Sequence, residues 1–117
     1  MLEKLGYRAI IARSGQEALN LYEKQREDID LVILDMIMPG MGGGETYDRL
    51  REIDGNVKVI LSSGYSIEGK AKEIMDRGRS GFIQKPFAME ELSRKVRELL
   101  DEAKDKVSDN NAILEAR

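Results

Sequence analysis

Short apolar runs rich in valine and isoleucine alternate along this chain with longer amphipathic stretches, and that alternation restricts the fold more than any other feature. "YRAIIAR" (7–13), "DLVILD" (30–35), "VKVILSS" (57–63) and "GFIQK" (81–85) read as strands. "SGQEALNLYEKQ" (14–25), "GETYDRLREI" (44–53), "SIEGKAKEIMDRG" (66–78) and residues 88 to about 106 read as helices. Ser14 and Glu17 stand at capping-box spacing, with Ala18, Leu19, Leu21 and Tyr22 as the apolar face behind them. Ser66 is the expected cap and Gly78 the expected stop of the third helix. Leu92, Val96, Leu99, Leu100 and Ala103 share one side of the last. Parallel strands need crossovers that pack back on the sheet, so this order predicts a doubly wound parallel sheet in three α/β/α layers. The 117 residues suit one domain. The ending "SDNNAILEAR" reads as a polar, frayed tail, which places the domain at 1–105 and a tail or linker at 106–117.

Composition removes whole classes of chemistry. With 0 cysteines there are no disulfides and no thiol nucleophile. With 0 histidines the chain lacks the commonest general base, the commonest metal ligand and any phosphohistidine of its own. Charged residues make up 35% with both signs interspersed and a net charge of −3, which gives no electrostatic case for nucleic acid or an anionic membrane. No apolar run approaches a membrane span and no leader pattern opens the chain, so the expected setting is cytoplasmic.

In parallel sheets of this kind, sites form beyond the carboxyl ends of the strands. Asp35, Ser63 and Lys85 each close one predicted strand, so a carboxylate, a hydroxyl and an ammonium should meet on one edge. Taken alone, Asp35 before Pro39 and a run of glycines is a turn former, and Lys85 is a solvated lysine. Ser62 and Ser63 alone only satisfy strand-end backbone groups. Met36, Met38 and Met41 read as loop and core packing. Together the three groups can do more. A carboxylate is a competent nucleophile toward phosphorus, and the ammonium keeps it ionised and offsets charge on incoming phosphoryl oxygens. The hydroxyl donates to such an oxygen only once it has arrived, which makes the arrangement a switch.

"LVILDMIMPGMGG" (31–43), "VILSSGYS" (59–66) and "GFIQKPF" (81–87), in this order and spacing, resemble the receiver domain of two-component response regulators and hybrid histidine kinases. The likeness runs from residue 1 to about 105 and implies a flavodoxin-like (CheY-like) fold. It implies that Asp35 is the phospho-acceptor, that Ser63 turns toward the phosphoryl group, and that Lys85 is the family's invariant-type lysine. Ser62 is disfavoured, because strand alternation turns neighbouring side chains opposite ways. Phe82 matches the aromatic switch position, although on any five-stranded sheet it would equally serve as core. The resemblance further implies a magnesium ion held by Asp35 and the backbone carbonyl of Ile37, a cis bond before Pro86, and a histidine kinase or phosphotransfer protein as partner.

The pattern departs from the family at the start. "MLEKLGYRAI" matches the end of a first helix running into a second strand, so the opening strand and its acidic pair are missing, and Glu3 is no substitute. That strand would lie mid-sheet in a 2-1-3-4-5 order, and buried ladder groups do not go unpaired. The expectation is that its two neighbours pair directly, that another copy supplies pairing by dimerisation or strand exchange, or that the fold is marginal. Magnesium affinity should also fall with the lost carboxylates. The function expected is therefore a phosphoryl-accepting receiver with impaired activity; the alternative is a phosphorylation-independent docking or dimerisation domain. A phosphatase of the haloacid dehalogenase type is disfavoured, because its second aspartate falls where this chain has Ile37, so no enzyme activity is expected.

Overall fold

The computed structural model describes residues 6–37, 40–64, 69–78, 80–101 and 112–116. Four strand–helix units follow one another: β1 (Arg8–Ala12) and α1 (Gly15–Gln25), β2 (Ile29–Asp35) and α2 (Gly43–Ile53), β3 (Val59–Ser63) and α3 (Lys70–Asp76), β4 (Ser80–Gln84) and α4 (Met89–Asp101). The eight expected elements are all present, with ends shifted by a few residues. Ser14 caps α1 as its spacing predicts, its hydroxyl accepting from the Glu17 amide at 3.1 Å. The expected cap Ser66 lies outside the described residues, and Gly69 stands at the N-cap of α3. Gly78, at φ 78°, follows the end of that helix as expected.

A fifth strand, β5 (Ala112–Ala116), was not expected. It lies in the middle of the sheet, whose order is β1-β5-β2-β3-β4. It runs parallel to both neighbours, with Ile10 and Val32 opposite Leu114, and Ile11 and Ile33 opposite Glu115. This corrects two readings. The sheet is complete rather than lacking a strand, and 112–116 is no frayed tail. Direct pairing of β1 with β2, pairing from a second chain and a gap in the sheet are all replaced by one outcome: the chain's own C-terminal segment fills the central slot. The physical cause is the one that made a gap implausible, since two buried strands with open ladders hold a partner strongly. Counting β5 as the first strand, the order reads 2-1-3-4-5, the flavodoxin-like pattern.

The sheet separates two apolar clusters. Val32, Leu34, Leu61, Leu114 and Ala116 face α1, α2 and α3 through Leu19, Tyr22, Tyr47, Leu50 and Ile74. Leu31, Ile33, Ile60, Ile83 and Ile113 face α4 through Leu92, Val96, Leu99 and Leu100. Both faces of β5 are thus covered, and Ala112, Ile113 and Leu114 have no exposed area. Lys58, buried at the start of the third ladder, reaches across to donate to the Leu99 carbonyl at 2.5 Å, tying the last turn of α4 to the sheet. No helix is long and apolar enough to cross a membrane, among the described residues.

Candidate functional site

All five strands run the same way, so their carboxyl ends share one edge. The β2–β3 ladder continues past its strand, with the Met36 amide donating to the Ser62 carbonyl at 2.9 Å. The β3–β4 ladder does the same, the Lys85 amide donating to the Ser63 carbonyl at 2.7 Å. These two bonds fix Asp35 and Lys85 at the rim from backbone outward. There Lys85 Nζ donates to Asp35 Oδ2 at 2.6 Å, across 50 residues of sequence. The other carboxylate oxygen, Oδ1, accepts from the Ile37 amide at 3.0 Å, turning the chain sharply after the strand.

Glycine makes that turn possible. The Gly43 amide donates to the Met36 carbonyl at 3.1 Å, and a Cβ on Gly43 would come within 2.7 Å of both the Asp35 carbonyl oxygen and the Met36 Cα. The start of α2 therefore presses on the backbone of Asp35 itself. Gly40 enters the left-handed region at φ 74° to bring the loop round. Met38 and Pro39 lie outside the described residues. The Lys85–Pro86 peptide is cis, as the resemblance implies, and Phe87 turns back under the site.

Asp35, Ser62, Lys85, Phe87 and Glu115 line a cavity of about 210 Å³ floored by apolar side chains of the sheet and α4. Asp35 keeps 23% of its side chain exposed and Lys85 44%, so solvent and a ligand both have access. An ion pair this open contributes only about 0–1 kcal/mol to stability. Two lining residues were not expected. Ser62 is in register with Asp35 and shares its face, whereas Ser63, one step on, is buried on the opposite face with Leu61 and Phe82. Phe82 is half-buried against the cluster under α1, α2 and α3. Glu115 comes from the strand that the sequence hid.

The sequence profile of the response regulator receiver domain matches residues 1–97. The chain belongs to the receiver-domain family. Over 100 residues it is 35% identical to sporulation initiation phosphotransferase F of Bacillus subtilis, covering 86% of this chain and 79% of that protein. It is 34% identical over 100 residues to the sensor kinase CckA of Brucella abortus, of which it spans 11% of the length and which covers 86% of this chain. Among solved structures, a response regulator receiver domain from Clostridium thermocellum superimposes with a TM-score of 0.82 at 27% identity, covering 88% of this chain and 82% of that one. The receiver domain of the sensor histidine kinase PA1611 of Pseudomonas aeruginosa, with a magnesium ion coordinated in its active-site cleft, gives a TM-score of 0.74 at 24% identity, over 86% of this chain and 82% of that one. That last likeness speaks for the fold alone. Membership makes this a signalling domain of two-component phosphorelay systems. The match ends fifteen residues before β5 begins, so β5 lies outside the matched residues.

Proposed function

We propose that this receiver accepts a phosphoryl group on Asp35 from the phosphohistidine of a histidine kinase or phosphotransfer protein. The observation that carries the reading is the 2.6 Å contact that Lys85 makes with Asp35 at the rim of the cavity. A carboxylate oxygen of Asp35 attacks phosphorus, the P–N bond to the donor imidazole breaks, and an acyl phosphate forms on Asp35. The imidazole takes a proton from solvent as it leaves. Lys85 follows the charge from the carboxylate to the phosphoryl oxygens, and the Ile37 amide keeps the carboxylate oriented for attack. Ser62, already in the cavity, supplies a hydroxyl donor to the new oxygens.

Ser63 and Phe82 are the switch pair of this reading. Ser63 turns over the strand end toward the phosphoryl group, and Phe82, on the same face, moves further into the space beside it. The change is read on the surface formed by α3, β4 and α4.

Magnesium, the family's cation, takes oxygen ligands in near-octahedral geometry. The donors here suit it: the Asp35 carboxylate and the Ile37 carbonyl would hold it, and both are oxygen ligands. Bound there, it would neutralise charge as phosphorus is transferred. Among the described residues no group of three acidic side chains is placed for a metal, so affinity is expected to be weaker than in receivers with an intact acidic pair.

The test is labelling by acetyl phosphate with magnesium. The parent chain should carry one acid-stable, base-labile phosphoryl group, and Asp35→Asn should carry none. Equal labelling of parent and variant would reject the site.

A further inference from the structure

We infer that Arg77, at the end of α3, is a latch that ties α3 to α2 and, through α2, to the backbone of Asp35. The inference rests on the phosphoryl-acceptor reading above and goes beyond it. It gives the proposed output surface a second connection to the site, separate from Ser63 and Phe82.

Both ends of α3 are built as joints. Gly69, at its N-cap, has φ 54° and ψ −120°, and Gly78, just past its end, has φ 78°. A Cβ at either position would meet nothing within 4 Å, so glycine serves the backbone there and does not make room for a neighbour. Residues at element ends with this freedom absorb the torsion change when a helix moves as a body. Between the joints α3 has 7 residues and packs through Ala71 and Ile74 on the cluster it shares with α1 and α2.

The guanidinium of Arg77 crosses from α3 to α2. Its Nη2 meets Glu73 Oε1 at 3.0 Å, which aims the side chain from within α3 itself. Its Nη1 meets Asp48 Oδ1 at 3.4 Å, and its Cζ lies 5.8 Å from the centre of the Tyr47 ring, both on α2. The platform is rigid, because Tyr47 is only 1% exposed and its hydroxyl accepts from Arg51 at 3.2 Å. The latch itself stays open to water, with half-exposed Arg77 and Asp48 side chains. Contacts of this kind are individually weak and salt-sensitive, as suits a link that breaks and reforms.

The far end of α2 touches the site. Gly43, its first residue, packs so tightly on the Asp35 carbonyl and Met36 Cα that no methyl group fits between them. Tyr47 is four residues on, one turn along the same side of the helix. A backbone shift at Asp35 as its carboxylate takes up a phosphoryl group is therefore passed to α2 across a contact with no slack. Arg77 decides whether α3 follows.

The experiment uses the intact chain. Amide hydrogen exchange is followed in α3 for the parent, Arg77→Ala, Arg77→Lys and Asp35→Asn, before and after acetyl phosphate with magnesium, with urea midpoints as a folding check. Without phosphate, the α3 amides of Arg77→Ala are expected to exchange roughly fivefold faster than the parent's, while those of β3 and α2 keep their rates. Salt at about 0.5 M should move the parent toward the variant, and Arg77→Lys, which keeps the charge and loses the planar fork, should fall between them. With phosphate, the α3 amides of the parent should change rate. Arg77→Ala should take up the same label on Asp35 with a smaller change in α3. Unaltered α3 exchange in a folded Arg77→Ala, or an undiminished response to label, would overturn the inference and leave the acceptor reading standing. Label on the parent that survives Asp35→Asn would defeat the acceptor reading, and with it the proposed link from Asp35 to α3.

Discussion

Both oxygens of Asp35 are engaged, one by the amide two residues on and the other by an ammonium 50 residues away. In the proposed transfer, a carboxylate held this way has lost its rotational freedom before any donor arrives, which lowers the entropic part of the barrier. Elsewhere, single residues carry stability rather than chemistry. Tyr22 is one. Its hydroxyl donates to Asp54 Oδ2 at 3.0 Å, while Asp54 Oδ1 accepts from the Asn56 amide at 2.9 Å and closes the turn after α2. Burial first, then the charge of Asp54 and the hydrogen bond to it, push the Tyr22 phenol well above its ordinary 10.0. The unfolded chain releases that proton from about pH 10 upward and the folded chain does not. The contribution of Tyr22 is therefore complete below pH 10 and declines as pH rises beyond it. Tyr22→Phe is expected to lose about 1–2 kcal/mol at pH 7, the worth of a part-buried bond to a charged acceptor. Urea denaturation at pH 7 and pH 11 checks this: the gap between parent and variant should shrink at the higher pH.

At the scale of elements, β5 joins the two halves of the sheet with only 5 residues. Among the described residues it is the sole sheet partner of β1, so without it β1 has no ladder there to join. Ile113 is fully buried against α4, and Ile113→Ala is expected to destabilise the whole domain by about 2–5 kcal/mol, measured as a lower urea midpoint with an unchanged slope. A true tail residue would give no change. The other strands were readable because their runs of valine, isoleucine and leucine are bounded by turn residues, and the helices because their apolar faces repeat at helical spacing. "AILEA" offers neither signal. It is five residues long, follows a polar stretch, and is apolar on both faces because it is central, so it shows no alternation. Its conformation is imposed by β1 and β2 rather than by its own propensity. The same cause hid Glu115. The Asp35–Lys85 pair was legible because each residue ends a strand, and parallel strands put such residues on one edge. Ser62 was not, because choosing between adjacent serines needs the β2–β3 register, which only coordinates supply.

For the molecule as a whole, the consequence is a receiver whose first and last described strands pair in one sheet, β1 on one side of β5 and β2, which ends in Asp35, on the other. The site is then a product of global closure. Asp35 and Lys85 come from the β2–β3–β4 half, Glu115 from the strand that joins this half to β1. Loss of β5 would strip one wall from the cavity and detach β1 together. Ile113 and Leu114 alone account for roughly 3–6 kcal/mol of burial, a large share of the 5–15 kcal/mol that holds a domain folded. Native-state hydrogen exchange addresses this closure residue by residue. The amides of Ile113 and Leu114 should exchange only through global unfolding, with the same protection free energy as those of Val32 and Ile33 in β2. Exchange of the 112–116 amides at the rate of an unstructured peptide, while β2 and β3 stay protected, would contradict the account.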